Sequence, residues 1–325
     1  MNAGIGDALR GKIVLVTGGA GFVGGNIVRA LVDQGAHVHI LDDFFTGSMD
    51  NVPDHPDVEI SRGTITDIDT VERLVSGSQY VIHLAARNII VSTKNPREDY
   101  EVNIGGTLNI LMAMRKSTVT RMVYSSSASV YGNPRYLPIN EDDNANLLSP
   151  YAVSKYAAEG YCRAFYESYG IPVSVVRYSN VYGPLQNPEN PYCGVISKFF
   201  RSLISASSIK IHGDGEQTRD FTYVGDVVEA TLLALVSPKA EGQVYNVGTG
   251  RETSINTLVR MMANVVGVEP TIEYVDRRDI DNIRNRVVNI EKIRRELKWT
   301  PMTSLENGLK RTYEWIREHE PSRNT

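Results

Sequence analysis

Residues 12–24 constrain this chain of 325 residues more than any other stretch. Lys12-Ile13-Val14-Leu15-Val16-Thr17 is a largely β-branched run with no polar alternation, which predicts a strand buried on both faces. It passes directly into Gly18-Gly19-Ala20-Gly21-Phe22-Val23-Gly24. A helical pattern follows from Asn26 to Gln34 and closes at Gly35, and the next strand, His37 to Leu41, ends in Asp42-Asp43. Glycines in such a turn let the backbone approach a pyrophosphate, and the helix N-terminus faces its charge. Asp42 is placed to bond ribose hydroxyls and to repel a 2′-phosphate, so the pattern predicts a dinucleotide site for NAD rather than NADP.

The alternation continues. Strand patterns recur at Val58 to Gly63, Tyr80 to Leu84, Arg121 to Tyr124 and Val173 to Arg177. Helical patterns separate them at Asp69 to Val75, Tyr100 to Met114 and Tyr151 to Tyr169. Repeated strand–helix units with short turns predict an α/β fold, a doubly wound parallel Rossmann sheet with right-handed crossovers. Ligands of such sheets bind beyond the carboxyl ends of the strands, where Gly18 to Gly24, Asp42, Ala85, Ser127 and Asn180 all fall. After Asn180 the texture changes to a loop rich in Pro, Gly and Asn, from Gly183 to Pro191. Shorter elements follow: helices at 195–205, 226–235 and 255–265, strands at 209–212 and 243–247, and a helical end from Ile290 to Arg317 around Pro301. The expected organisation is a dinucleotide-binding domain over 1–180, with segments near 220–250 returning to it, and a smaller C-terminal α/β substrate-binding lobe over 181–325.

Charge and composition exclude several classes. The formal net charge is -4, and basic residues are spread out apart from a denser run from Arg277 to Arg295, so nucleic acid is not expected as a partner. Two cysteines, Cys162 and Cys193, show no metal-ligand spacing, which argues against a metal site or a disulfide framework and for a reducing compartment. No apolar run reaches the roughly 18 residues of a membrane span, and no signal-peptide pattern opens the chain, so a soluble cytoplasmic protein is expected.

Chemistry concentrates in Ser149-Pro150-Tyr151-Ala152-Val153-Ser154-Lys155. Ser149 suits an N-cap and Pro150 the first helical turn, so Tyr151 and Lys155 share one helix face at i and i+4. A lysine held near a phenol favours the phenolate, which predicts a Tyr151 acidified toward neutrality and able to take a proton from an alcohol.

Together the Gly18-x-x-Gly21-x-x-Gly24 turn, the Ser127 segment and Tyr151-x-x-x-Lys155 resemble the extended short-chain dehydrogenase/reductase family, and within it the nucleotide-sugar epimerases and dehydratases. The resemblance spans nearly the whole chain. It includes His83-Leu84-Ala85-Ala86, Ser125-Ser126-Ser127-Ala128-Ser129-Val130-Tyr131-Gly132, Arg177 to Pro184 and Gly213 to Phe221. It implies Tyr151, Lys155 and Ser127 as catalytic residues. Gly18, Gly21, Phe22, Val23, Gly24, Asp42, Leu84, Ala85, Ala86, Asn103, Ser125 and Tyr178 would hold the cofactor, with Thr64 and Ile65 at the adenine, where the family usually has an Asp in place of Thr64. The diphosphate of a UDP-linked sugar would meet Arg219, Asn180, the backbone N–H of Val195 and Arg278. Salt bridges from Arg219 to Asp220 or Asp226 are the alternative for that arginine.

The resemblance also narrows the reaction. Dehydratases carry an Asp-Glu pair after the catalytic serine, and decarboxylases a Glu at the position of Ser129, whereas this chain has Ala128 and Ser129. That favours a UDP-sugar 4-epimerase, for hexose, N-acetylhexosamine or hexuronate, over a dehydratase, a decarboxylase or a non-catalytic NAD-binding protein. Arg286 falls near the position that sets pocket size in the 4-epimerases, and Arg87 follows the nicotinamide strand, so both are candidates to read an anionic sugar. Tyr156, Tyr161, Phe165 and Tyr169 suit core or helix-bundle contacts, and the family's paired helices imply a homodimer.

Overall fold

The computed structural model describes residues 3–188, 190, 194–277 and 283–319. Seven strands form the central sheet: β1 (Ile13–Thr17), β2 (His37–Asp42), β3 (Val58–Arg62), β4 (Tyr80–His83), β5 (Arg121–Ser127), β6 (Val173–Tyr178) and β7 (Val244–Val247). Their order is β7-β6-β5-β4-β1-β2-β3, and every pairing is parallel. The chain starts at the centre, winds outward to β3, then crosses to β4 and winds the other way. The crevice between β1 and β4 is therefore the switch point, where an open α/β sheet takes its ligand.

Side chains alternate between two buried faces. Val14, Val16, Ile82, Val123 and Val176 join the core formed with the helices Phe22–Asp33 and Val224–Val236. Leu15, Val81, Met122, Tyr124 and Val175 point to the opposite core, against Ile68–Ser76, Thr107–Arg115 and Pro150–Tyr169. Each such side chain contributes roughly 1.5–3 kcal/mol by leaving water, which is why these strands read as continuous apolar runs.

A third core lies outside the sheet. Phe199 and Phe200 of the helix Val195–Ile204, Leu258 and Met262 of Ile255–Val266, and Leu309 and Ile316 of Leu305–His319 meet there. Strand β7 returns to the main sheet beside β6. Trp299 is 1% exposed in the first core, with its indole N–H donating to the Asp226 carbonyl at 3.1 Å.

Three elements depart from expectation. The helix after β1 starts at Phe22, four residues early, because Gly24 and Gly25 pack inside its first turn. The helix expected over Tyr100 to Met114 opens as a π-helix, Tyr100–Gly106, before Thr107–Arg115. Asn180 begins a short strand, Asn180–Tyr182, parallel to Phe221–Tyr223, as well as following β6.

Candidate functional site

A groove of about 240 Å³ opens at the switch point, lined by Gly18, Gly21, Phe22, Val23, Gly24, Asp42, Thr64, Ile65, Leu84, Ala85 and Ala86, all expected at the cofactor. Gly18 has φ +73, and a Cβ there would stand 2.8 Å from the Ala85 nitrogen. A Cβ on Gly24 would stand 2.1 Å from the Gly18 oxygen, so this glycine lets the helix lie on the turn. Gly21 is the N-cap of that helix and offers no side-chain bond, which leaves first-turn N–H groups facing the groove. This arrangement can cradle a diphosphate.

Asp42 closes one side. It is 7% exposed; its Oδ2 accepts the Ala20 N–H at 2.9 Å and its Oδ1 the Phe44 N–H at 2.8 Å. Burial raises its pKa, and these backbone bonds oppose the rise. An ionised carboxylate accepts about four bonds, so room remains for ribose hydroxyls. Ile65 is buried, with Gly106 packed against its side chain, and the Thr64 hydroxyl shares a 3.0 Å bond with that of Thr66.

Three residues expected at the cofactor are held within the protein. Asn103 is 1% exposed; its Oδ1 accepts the Arg87 N–H at 2.7 Å and its amide donates to Asp99 at 2.6 Å. The Ser125 carbonyl accepts from Lys155 Nζ at 2.7 Å. The Tyr178 hydroxyl pairs with that of Thr231 at 2.8 Å.

The catalytic candidates gather at the carboxyl end of β5. The helix Pro150–Tyr169 carries its expected Ser149 cap, whose hydroxyl accepts the Ala152 N–H at 3.1 Å. Tyr151 stands beside Ser127, the last residue of β5, whose hydroxyl favours the phenolate. Burial pushes the Tyr151 phenol up to about 12; the Ser127 hydroxyl opposes this and Asp99 adds to it. Burial also pulls Lys155 down to about 8, against the charges of Asp99 and Glu159. Lys155 was expected, together with the nicotinamide charge, to bring the phenol toward neutrality; without the cofactor, burial dominates and the phenol stays high. The ammonium bonds the Ser125 carbonyl and stands 5.9 Å from the Tyr151 ring centre, and desolvation outweighs it.

On the far side, Arg219 is 8% exposed and its Nη1 donates to the carbonyls of Thr218 and Ile283, both at 2.8 Å. Asp220 spends its carboxylate on Thr249, Gly250 and Val288, and Asp226 on the N–H groups of Met302 and Thr303. Val195 opens its helix behind a Gly194 cap without a side-chain bond, so its end is free to donate. Arg286 is 6% exposed on the segment that pairs with Thr218 and Ile139. Arg278 lies outside the described residues.

Arg87 sits in the cofactor groove, with its guanidinium between Asp43 and Glu98. Asp43, Phe45, Thr46 and Val102 also line the groove and were missed. Their only sequence signal is position, just beyond the β2 strand end or one residue before Asn103. Asp99 was missed too. It is 3% exposed and accepts from Ser92, Asn103 and Ser154, under the catalytic helix.

A glycine turn at the switch point, with Ser127 at the end of β5 and Tyr151 and Lys155 on the helix beside it, is the arrangement expected of a dinucleotide-dependent enzyme that moves hydride and proton together. Residues 14–248 match the model of the NAD dependent epimerase/dehydratase family. A Methanocaldococcus jannaschii protein, provisionally named UDP-glucose 4-epimerase, is 40% identical over 310 residues, covering 94% of this chain and 99% of its own. The UDP-N-acetyl-alpha-D-glucosaminuronate decarboxylase of Bacillus cytotoxicus is 34% identical over 325 residues, covering 95% and 99%. The solved UDP-glucose 4-epimerase of Thermotoga maritima with UDP-glucose superposes with a TM-score of 0.89 at 36% identity, covering 94% and 99%. The chain belongs to the NAD dependent epimerase/dehydratase family, and its cofactor is NAD.

Proposed function

We propose that this enzyme is a UDP-sugar 4-epimerase, an isomerase that inverts C4 through a transient 4-keto sugar. The observation that carries the reading is the end of β5. Tyr151 stands beside Ser127, and Ser129, where decarboxylases carry a carboxylate, is a buried serine. An alcohol can be deprotonated here, and neither Ala128 nor Ser129, which follow Ser127, can act as an acid or second base for loss of water or CO₂. NAD supplies the hydride acceptor and, once the sugar has turned, the donor. Tyr151 holds the proton of the 4-hydroxyl, Ser127 shares it, and Lys155 sets the charge around them. Arg219, Asn180 and the Val195 N–H receive the diphosphate. The segment bearing Arg286 bounds the sugar, and the core around Phe200 and Leu258 supports that side.

We also propose a homodimer. Val153, Tyr156, Tyr161 and Tyr169 of the catalytic helix are 40–49% exposed, and Met112 of the neighbouring helix is 39% exposed. Phe165 of the same tyrosine-rich series faces the core at 7%. A second copy covers this stripe in a helix bundle. No described helix is long and apolar enough to cross a membrane. The buried free thiol of Cys162 suits a reducing compartment such as the cytoplasm.

The test is product analysis after incubation with UDP-glucose, UDP-N-acetylglucosamine, UDP-glucuronate and dTDP-glucose. A C4 epimer of a UDP-sugar is expected, and loss of water or CO₂ as the main outcome overturns the reading. Tyr151→Phe should lower turnover by roughly 10²–10⁴ with NAD retained.

A further inference from the structure

We propose that Arg87 is the bolt of a clasp that holds the Asp43–Phe45 loop across the cofactor groove and slows release of the dinucleotide. The inference rests on this groove being the NAD site.

Three separate segments meet at one guanidinium. Nη2 donates to Asp43 Oδ2 at 2.8 Å, on the loop after β2, and Nε donates to Glu98 Oε1 at 2.6 Å, on the short helix Pro96–Asp99. The guanidinium carbon lies 4.1 Å from the centre of the Phe45 ring. Arg87 itself follows β4, so it crosses the crevice from one rim to the other, and Asp43, Phe45 and Arg87 all line the groove. The root of the side chain is fixed, because Asn103 accepts the Arg87 N–H at 2.7 Å and donates to its carbonyl at 3.1 Å. The Arg87 side chain is 12% exposed and its two acids 30% each, so the pairs are only partly screened by water.

Charge decides what the arginine is for. Two carboxylates already face one guanidinium, so the cluster carries a net negative charge and repels a further carboxylate. It is a poor reader of an anionic sugar and a good strut between loops. The loop it restrains is strained. Phe44 sits at φ +59, the left-handed region that a bulky residue avoids, under Arg62 at 5.5 Å from its ring centre. Such a conformation persists only where its surroundings enforce it. Asp42 and Asp43 accept the N–H groups of Phe44 and Phe45, and Arg87 ties Asp43 to the opposite rim.

The test uses purified holoenzyme loaded with etheno-NAD, its release followed by fluorescence on mixing with excess NAD. Arg87→Ala should release the dinucleotide roughly tenfold faster than wild type, with Glu98→Gln in between. Salt should speed wild-type release more than that of Arg87→Ala. If Arg87→Ala does not fold, Glu98→Gln decides alone. Unchanged release overturns the clasp. So does unchanged release together with lost discrimination between UDP-glucuronate and UDP-glucose, which would return Arg87 to the sugar. A wild type that takes up no etheno-NAD overturns the groove's assignment, and this is distinguishable from failure of the clasp alone.

Discussion

His83 should make the enzyme acid-sensitive in a way that can be isolated. It ends β4 at 1% exposure, its Nδ1 2.7 Å from the Thr17 hydroxyl and its Nε2 2.9 Å from that of Thr107. Thr107 donates its own proton to the Asn103 carbonyl at 2.6 Å, so it accepts from Nε2–H, and Nδ1 accepts from Thr17. A second ring proton, on Nδ1, would have to be accepted by the Thr17 hydroxyl, which would then lose the ring nitrogen as acceptor for its own proton. Burial, with Lys155 nearby, lowers the imidazole from 6.5 to about 3. The unfolded chain takes that proton near 6.5, while the folded protein resists it down to about 3. Stability from this group is therefore complete above pH 6.5 and falls as pH drops through it. The full interval corresponds to about 5 kcal/mol, and roughly 3 kcal/mol is gone by about pH 4.5. Buried Asp42, Asp99 and Asp220 have raised pKa values and act in the opposite sense, so the comparison must be with His83→Gln. Urea unfolding from about pH 7 to 4.5 should show wild-type stability converging on that of the variant. Parallel curves would refute the argument.

Two further perturbations separate packing from binding. Gly24→Ala forces a Cβ to 2.1 Å from the Gly18 oxygen and should cost about 1–3 kcal/mol or more in thermal unfolding. Gly21→Ala meets that oxygen at 3.2 Å, a tight but smaller encroachment, so it should cost clearly less stability than Gly24→Ala while weakening NAD in a titration. Equal melting temperatures for the two variants would contradict this division. Glu159→Ala strips the buried Arg177 of a partner that it contacts at 2.6 and 3.0 Å, and should cost about 3–5 kcal/mol in urea. A loss under about 1 kcal/mol would mean that Tyr131 and the Glu141 carbonyl suffice for Arg177.

What was legible in the residues followed from burial. The central strands are apolar on both faces, and their runs gave both their positions and the strand ends that carry the site. The helix after β1 was read late because glycines look like turn residues. Gly24 and Gly25 are instead helical residues without room for a Cβ; one added to Gly25 would stand 2.5 Å from the Asn51 oxygen. The π-helical turn at Asn103 leaves no mark on periodicity, since a single wide turn shifts the apolar stripe by one residue only. Arg87 was correctly placed after β4, but its partners lie 44 and 11 positions away, and only the fold brings them together. The same holds for Asp99, which reads as a surface acid at a helix start and lies under the catalytic helix.

The candidate catalytic pair shows most clearly what spacing leaves open. An i, i+4 arrangement puts Tyr151 and Lys155 on one face, but burial sets their protonation, and it moves both toward neutrality of charge. With the phenol near 12 and the ammonium near 8, the protein alone holds a protonated tyrosine at neutral pH. A base appears only when further positive charge enters the site, as oxidised NAD would bring. The ultraviolet difference between wild type and Tyr151→Phe isolates this one phenol among 17 tyrosines. Freed of cofactor, the difference should show no phenolate up to about pH 10. With NAD bound, phenolate should appear at lower pH, and Lys155→Met should push it back up. A phenolate signal near neutrality in the cofactor-free protein would mean that lysine, not cofactor, makes the base.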